Sequence, residues 1–121
     1  MIDFKTESVS EGIVVVKISG ELNESTQRYF FDCVSDYLRE VGAKHLIIEC
    51  AQLGFINSAG MTAMLRARKS LSKRGSKIYF TQLNSSITKA LELTKLSALL
   101  AIYPKTKELV SMLQKNLVPA C

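Results

Sequence analysis

The chain has 121 residues, of which 47% are hydrophobic and 22% charged, a composition typical of one globular domain with a sizeable core. No apolar run approaches the roughly 20 residues that cross a bilayer, and no secretory signal opens the sequence, so we expect a cytoplasmic protein without membrane insertion. Three widely spaced cysteines and a single histidine provide too few ligands for a metal site, and nothing in the sequence indicates a cofactor.

The charges are distributed unevenly along the chain. Residues 1–50 carry five basic and nine acidic side chains, whereas residues 51–121 carry eleven basic and two acidic ones. Three interpretations of the basic half are open, in falling order of weight: a solvated helix face, a docking surface for an acidic protein, and a nucleic-acid surface. Nucleic acid ranks last because no aromatic residues interleave the charges. No direct nucleic-acid partner is therefore expected. The basic cluster consists of Arg66, Arg68, Lys69, Lys73 and Arg74.

The first part of the chain predicts a hairpin followed by a helix. Strands over 2–9 and 12–19 are joined by a tight turn at Glu11–Gly12. Asn23 is a candidate N-cap for an amphipathic helix, which has apolar residues at i, i+3 and i+4 spacing and ends at Gly42. That apolar stripe predicts core packing and consists of Phe30, Cys33, Val34, Tyr37, Leu38 and Val41.

Strand and helix patterns alternate in the rest of the chain. A strand over 46–50 leads into a helix that reaches roughly Arg74 and ends at Gly75. The later elements are a strand over 77–81, a helix capped at 84–86 and carrying Ile87 to Leu93, a strand over 99–103 that ends at Pro104, and a helix with Leu109, Val110, Leu113 and Leu117 on its apolar face.

This order, β-β-α-β-α-β-α-β-α, predicts an α/β fold with a mixed, mostly parallel sheet of about five strands and about four α-helices on one or both faces. We expect a single domain over 1–116 and a flexible C-terminal tail over 117–121. Ligands and partners of open sheets meet the loops at the carboxyl ends of the strands. Asn23 and Ser58 both lie in such loops, so the topology predicts that they are close in space.

The run from Leu53 to Met61 carries the clearest functional signal. It places Ser58 where a strand leads into a helix, beside Gly60, which allows a close approach of the backbone. Because the amides of a helix N-terminus stabilise an anion, Ser58 is a candidate for reversible phosphorylation, with a plain helix cap as the alternative. A nucleophilic serine is disfavoured, since GxSxG is missing and the one available base, His45, begins the strand whose far end leads to Ser58. We therefore expect no enzymatic activity.

Two segments resemble the STAS domain of bacterial anti-sigma factor antagonists. Gly20–Asn23 (GELN) is similar to the family's Gly-Glu-Leu-Asp segment. Phe55–Met61 (FINSAGM) is similar to its core motif, which is an apolar pair, Asp, Ser, Ser or Thr, Gly and an aliphatic residue. The similarity in element order extends over residues 2–115. The resemblance implies the STAS fold and assigns the phosphoacceptor to Ser58.

The resemblance also implies a partner-switching function. The unphosphorylated protein would bind an anti-sigma factor that is also a serine kinase of the GHKL ATPase type, and would thereby free a sigma factor. Phosphorylation of Ser58 would end this binding, and a serine phosphatase would restore it. The free protein is expected to be a monomer. The implied partner-binding residues are Glu21, Asn23, Glu24, Asn57, Ser58, Ala59, Gly60 and Met61.

The sequence departs from the family pattern at four positions. Asn57 and Asn23 each replace an aspartate, so two acidic side chains near the acceptor are missing. Ala59 replaces a second hydroxyl residue, and Lys95 stands where the family commonly has glycine. A STAS regulatory subunit of a membrane transporter, with the same fold and contact surface, is the alternative function.

Overall fold

The computed structural model describes residues 1–10 and 12–116. Within them, five strands and four α-helices follow one another in the predicted order. The residue at position 11, in the predicted turn, and the predicted tail over 117–121 lie outside the described residues. The elements are β1 (Ile2–Ser10), β2 (Ile13–Leu22), α1 (Gln27–Val41), β3 (His45–Ile56), α2 (Ser58–Lys73), β4 (Lys77–Thr81), α3 (Ser85–Leu93), a short 3-10 helix (Leu96–Ala98), β5 (Ile102–Tyr103) and α4 (Thr106–Gln114).

The strands form one mixed sheet in the order β1-β2-β3-β4-β5. β1 is antiparallel to β2, and every later pair is parallel, which confirms the predicted sheet. Since strand order follows chain order, right-handed crossovers place the helices that connect β2 to β5 on the same face.

The two faces of the sheet carry separate cores. The larger core packs Phe30 of α1, Met64 of α2 and Leu91 of α3 against Val16 and Ile48 of the sheet. The smaller core lies on the opposite face, where α4 covers a set of sheet residues. That set is Ile13, Val15, Ile47 and Tyr79, packed with Leu109. None of the helices formed by the described residues has the length and apolar character of a membrane span.

β3 is much longer than the predicted strand over 46–50. Its first half pairs with both neighbours, because β4 contacts only residues 45–49. Its second half pairs with β2 alone, from Gln52 opposite Ser19 to Ile56 opposite Leu22. With one neighbour fewer, this half is less buried and includes polar residues and a glycine, so it lacks the continuous apolar run that identified the first half. β5, in contrast, is shorter than the predicted strand over 99–103, because residues 99 and 100 form a turn and a bend after the 3-10 helix and only Ile102 and Tyr103 pair with β4.

Gly20 allows β2 to bend at the start of the GELN segment. Its φ of +106° is a conformation that glycine adopts without strain. An added Cβ would also lie 2.0 Å from the carbonyl oxygen of Met1. That carbonyl accepts a hydrogen bond of 3.1 Å from the backbone N–H of Glu21. The end of β2 is therefore fixed against the start of β1, which directs the following loop toward the end of β3.

Two buried threonines join α4 to the sheet. The hydroxyls of Thr81 and Thr106 lie 2.7 Å apart, and both residues are almost fully buried. The Thr106 hydroxyl donates to the Glu49 carboxylate at 3.1 Å. Since a hydroxyl has one proton, Thr81 must be the donor in the pair with Thr106.

This donor order predicts unequal costs for removing the two hydroxyls. Thr106→Val leaves the Thr81 hydroxyl buried without a partner and should lower the free energy of unfolding by about 1–3 kcal/mol. Thr81→Val leaves Thr106 donating to Glu49 and should cost about 0.5–1.5 kcal/mol. The double variant should be more stable than Thr106→Val, because the second substitution removes the unpaired Thr81 hydroxyl, as measured by urea unfolding. Two equal costs that add in the double variant would contradict the proposed order.

Candidate functional site

The candidate site lies where β2 and β3 end side by side. Leu22 and Ile56 are register partners at the carboxyl ends of these parallel strands. The backbone N–H of Asn57 donates to the Leu22 carbonyl at 3.3 Å, and the Asn57 side-chain amide donates to the Glu24 carboxylate. The loops after β2 and β3 are therefore in direct contact, as the topology predicts.

Asn57 connects the first turn of α2 to the neighbouring loop. Its Oδ1 accepts a hydrogen bond of 3.1 Å from the backbone N–H of Gly60, so it is the N-cap of the helix. This bond fixes the orientation of the amide, and the amide nitrogen then faces Glu24. An aspartate at this position would cap the helix equally well but would place a second carboxylate against Glu24. The departure from the family's aspartate is thus matched to its neighbour.

Ser58 is the first residue of α2, and its side chain is exposed. Its hydroxyl forms no hydrogen bond to another residue in the part of the chain that the structure describes, while its carbonyl accepts from the Thr62 hydroxyl at 2.9 Å. The first turn of α2 contains no acidic residue of its own, and the nearby carboxylate of Glu24 comes from the loop after β2. The position therefore offers an accessible hydroxyl at a site that favours an anion.

Gly60 and Met61 form the buried base of the site. A Cβ at Gly60 would lie 2.2 Å from the Leu22 carbonyl oxygen and 2.8 Å from Cγ1 of Ile56. Met61 is 9% exposed and belongs to the larger core. The close packing of α2 on the end of β2 therefore accounts for Gly60 by relief of crowding. Of the remaining predicted partner-binding residues, Glu21, Glu24 and Ser58 are exposed, and Asn23, Asn57 and Ala59 are partly buried.

Asn23 and Thr26 form a reciprocal pair that shapes the loop before α1. The Asn23 Oδ1 accepts from the backbone N–H of Thr26 at 3.2 Å, and the Thr26 hydroxyl accepts from the backbone N–H of Asn23 at 3.0 Å. The same hydroxyl donates to the Glu21 carbonyl at 2.8 Å. Asn23 also donates from its amide to the Glu21 carboxylate at 3.2 Å. α1 begins at Gln27, so Thr26, and not the predicted Asn23, directly precedes the helix, and Asn23 instead stabilises the turn before it.

The carboxylate of Glu24 is held in its ionised form. Hydrogen bonds from its own backbone N–H and from the Asn57 amide keep the pKa of Glu24 below its ordinary value of about 4.5. At neutral pH the loop beside Ser58 therefore carries the charges of both Glu21 and Glu24. Both side chains are exposed, so a docking partner has to accommodate them.

His45 and Ser58 lie at opposite ends of β3. The strand has 12 residues, so eleven rises of about 3.3 Å separate its two ends by roughly 36 Å. His45 Nδ1 instead lies 2.9 Å from the Tyr79 hydroxyl. The structure thus places this histidine out of reach of the Ser58 hydroxyl, as the sequence predicts.

The comparisons with known proteins agree on one family. A sequence model of the STAS domain matches residues 6–109. An anti-sigma F factor antagonist from Paenibacillus polymyxa is 22% identical over 92 residues, which cover 76% of this chain and 79% of the relative.

Solved structures share the fold at lower sequence identity. An anti-sigma factor antagonist from Mycobacterium paratuberculosis superimposes with a TM-score of 0.80 at 18% identity, covering 94% of this chain and 95% of the other. The Bacillus cell fate determinant SpoIIAA in its phosphorylated form gives a TM-score of 0.66 at 18% identity, covering 89% and 96%. The murine anion transporter Slc26a9 contains a region that gives a TM-score of 0.74 at 15% identity, covering 89% of this chain but 18% of the transporter.

The amide at position 57 predicts how Glu24 titrates. Because the pKa of Glu24 is lowered in the folded state, its contribution to stability is fully present above about pH 4.5 and is lost as the pH falls through the lower value. Asn57→Asp should raise the pKa of Glu24, since a carboxylate replaces the amide donor. NMR titration of the side-chain carboxyl carbons measures this shift. A Glu24 pKa that is unchanged in Asn57→Asp would contradict the assigned contact.

The close approach at Gly60 predicts a steric penalty that outweighs the higher helix propensity of alanine. Gly60→Ala should lower the free energy of unfolding by about 1–3 kcal/mol, because the added methyl group meets a backbone carbonyl. Gly54→Ala is the matched control, since its nearest neighbour beyond the adjoining residues would lie 3.8 Å away, and it should change stability by less than about 0.5 kcal/mol. Equal effects of the two substitutions in urea unfolding would show that crowding does not select glycine at position 60.

Proposed function

Because the chain belongs to the STAS domain family, we propose that it is an anti-sigma factor antagonist that acts by partner switching. The unphosphorylated protein, a cytoplasmic monomer, binds an anti-sigma factor that is also a serine kinase of the GHKL ATPase type. This binding frees a sigma factor to direct transcription. Phosphorylation of Ser58 ends the complex, and a serine phosphatase restores the binding form.

The observation that supports this proposal is the setting of Ser58. Its hydroxyl is exposed at the first position of a capped helix, on a surface built jointly by the loops after β2 and β3. A kinase can reach the hydroxyl without unfolding the helix, and the helix dipole favours the anion that results. The modification is therefore compatible with an unchanged fold.

The phosphoryl group acts on binding through charge and hydration. It adds about −1.5 to −2 charges at neutral pH beside the carboxylates of Glu21 and Glu24. A partner that closes over Ser58 would have to remove water from this group, and burying an unpaired charge costs several kcal/mol. The same group stays hydrated on the free protein, so phosphorylation weakens the complex far more than it affects the fold.

The carboxylate that the family pattern places at position 57 is supplied here from position 24. Glu24 lies against the Asn57 amide, so an acidic group remains beside the acceptor helix although the motif has lost its aspartate. We propose that Glu24 is the acidic contact through which the kinase partner aligns this surface.

The alternative is a STAS regulatory unit of a membrane transporter. The likeness to a region of the murine anion transporter supports it, but that region is a small part of a much longer chain. The same surface around Ser58 would then contact transporter segments instead of a kinase. Genes for a serine kinase and a sigma factor next to the gene of this protein would favour antagonism, and transporter genes would favour the alternative.

Substitutions at Ser58 test the switch with the anti-sigma factor kinase encoded in the same genome. Ser58→Asp should weaken binding at least about 100-fold, equivalent to roughly 2.7 kcal/mol, whereas Ser58→Ala should stay within about threefold of the natural protein. Ser85→Asp is a matched control, because Ser85 is also exposed, first in its helix and preceded by an asparagine cap. It should retain binding. Calorimetric titration that finds full affinity for Ser58→Asp would refute the switch.

The modification itself can be observed directly. Mass spectrometry of the protein purified from its native host should find phosphate on Ser58 in a fraction of the molecules. The fraction should rise when the kinase is overproduced and fall when the phosphatase is. Phosphate confined to another residue would contradict the assignment.

A further inference from the structure

α3 ends in a conformation that is unusual for the residue that adopts it. Thr94 is the C-cap, and Lys95 follows with φ +62° and ψ 11°, in the left-handed region. Glycine is favoured directly after a helix C-cap, because a side chain there is sterically strained. The backbone N–H of Lys95 donates to the Glu92 carbonyl at 3.0 Å, so this conformation is part of the folded structure. Because this backbone conformation is strained for lysine, the Lys95 side chain is a candidate for a functional role.

A single side-chain contact joins the end of α3 to the first turn of α2. The Thr94 hydroxyl is 3.8 Å from the sulfur of Met61, and it also donates to the Ala90 carbonyl at 2.9 Å. Met61 follows Ser58 by three residues, so the two lie on one turn of α2, with Met61 buried and Ser58 exposed. Lys95 is therefore attached to the residue that contacts the phosphoacceptor turn.

The charges around this corner leave the Lys95 ammonium available. Lys95 is exposed and forms no ion pair with any residue in 1–10 and 12–116. The first cation along α2, Arg66, begins about 12 Å beyond Ser58 at 1.5 Å per residue. Its guanidinium is also engaged, 4.9 Å above the ring of Phe31. Lys95, which directly follows the residue in contact with Met61, is thus an exposed cation without an ion pair, whereas Arg66 of α2 is engaged elsewhere.

We propose that the ammonium of Lys95 binds the phosphoryl group on Ser58 in the phosphorylated protein. This inference rests on the proposed function, because it concerns the modified form of the same site. The ion pair offsets part of the charge added to the loop that already carries Glu21 and Glu24. It stabilises the phosphorylated free protein and therefore prolongs the state in which the partner is released.

A purely structural role for Lys95 predicts a different behaviour. A lysine after a helix C-terminus also complements the helix dipole, which would contribute to stability whether or not Ser58 is modified. The two roles are separated by the ionisation of the phosphate, which responds to a nearby cation and not to the stability of α3.

The test uses the full chain with phosphoserine incorporated at position 58 during synthesis, so neither kinase nor partner is needed. A ³¹P NMR titration measures the second pKa of the phosphate, which is ordinarily about 6. We expect this phosphate pKa to be similar in the natural protein and in Lys95→Arg. In Lys95→Gln and Lys95→Gly it should be higher by at least about 0.5. That difference corresponds to about a threefold change in proton affinity. Lys107→Gln, on α4 at the opposite face, should match the natural protein.

The variants also separate charge from backbone strain. Lys95→Gly relieves the left-handed conformation and should raise the Tm of the unmodified protein, whereas Lys95→Gln keeps the strain. Both should nevertheless raise the phosphate pKa equally. Phosphate pKa values that agree within about 0.1 across all these proteins would overturn the proposal.

Failure of this proposal is distinguishable from failure of the proposed function. If phosphorylation releases the partner but the phosphate pKa is the same in all Lys95 variants, the switch is supported and the role of Lys95 is refuted. If the pKa depends on Lys95 while the partner binds both forms equally, the ion pair stands and the switch is refuted.

Discussion

The close contact between the first turn of α2 and the end of β2 is the constraint on which the rest of the site depends. Gly60 makes it possible, because any side chain at this position would meet the Leu22 carbonyl. Asn57 then completes it by capping the helix and holding Glu24 at the same time. The two loops behave as one unit, and Ser58 is presented on a rigid helix end. A hydroxyl on a mobile loop would lack both the fixed position and the favourable dipole.

Charged groups of both signs lie around this edge of the sheet. Glu21 and Glu24 are exposed and make the unmodified surface acidic, so under the proposed function a partner has to accommodate two carboxylates. A phosphoryl group on Ser58 would raise the negative charge further, so that removing water from this surface on partner binding would become unfavourable. Under our proposal, the ammonium of Lys95, at the end of α3, pairs with that phosphoryl group. The proposed switch therefore involves charged groups from the loop after β2, from α2 and from the end of α3.

Much of this arrangement follows from local patterns, and the remainder depends on contacts between distant residues. The element order and the position of Ser58 could be predicted, because periodicity, caps and glycines are local signals. The length of β3 could not, because its second half has one neighbouring strand and no continuous apolar run. The contact of Glu24 with Asn57 joins residues 33 positions apart, so no local pattern indicates it. The start of α1 at Gln27 depends on the turn that Thr26 forms with Asn23, and the left-handed backbone of Lys95 depends on the folded chain.

The proposed switch requires that one phosphoryl group on Ser58 changes the affinity of this surface without changing the fold. Calorimetric titrations with the anti-sigma factor kinase, together with Tm measurements, compare the fully phosphorylated and the unmodified natural protein. We expect a Kd at least about 100-fold weaker for the phosphorylated protein, at a Tm equal to or slightly above that of the unmodified one. Equal Kd values for the two forms, or a loss of affinity that accompanies unfolding, would contradict it.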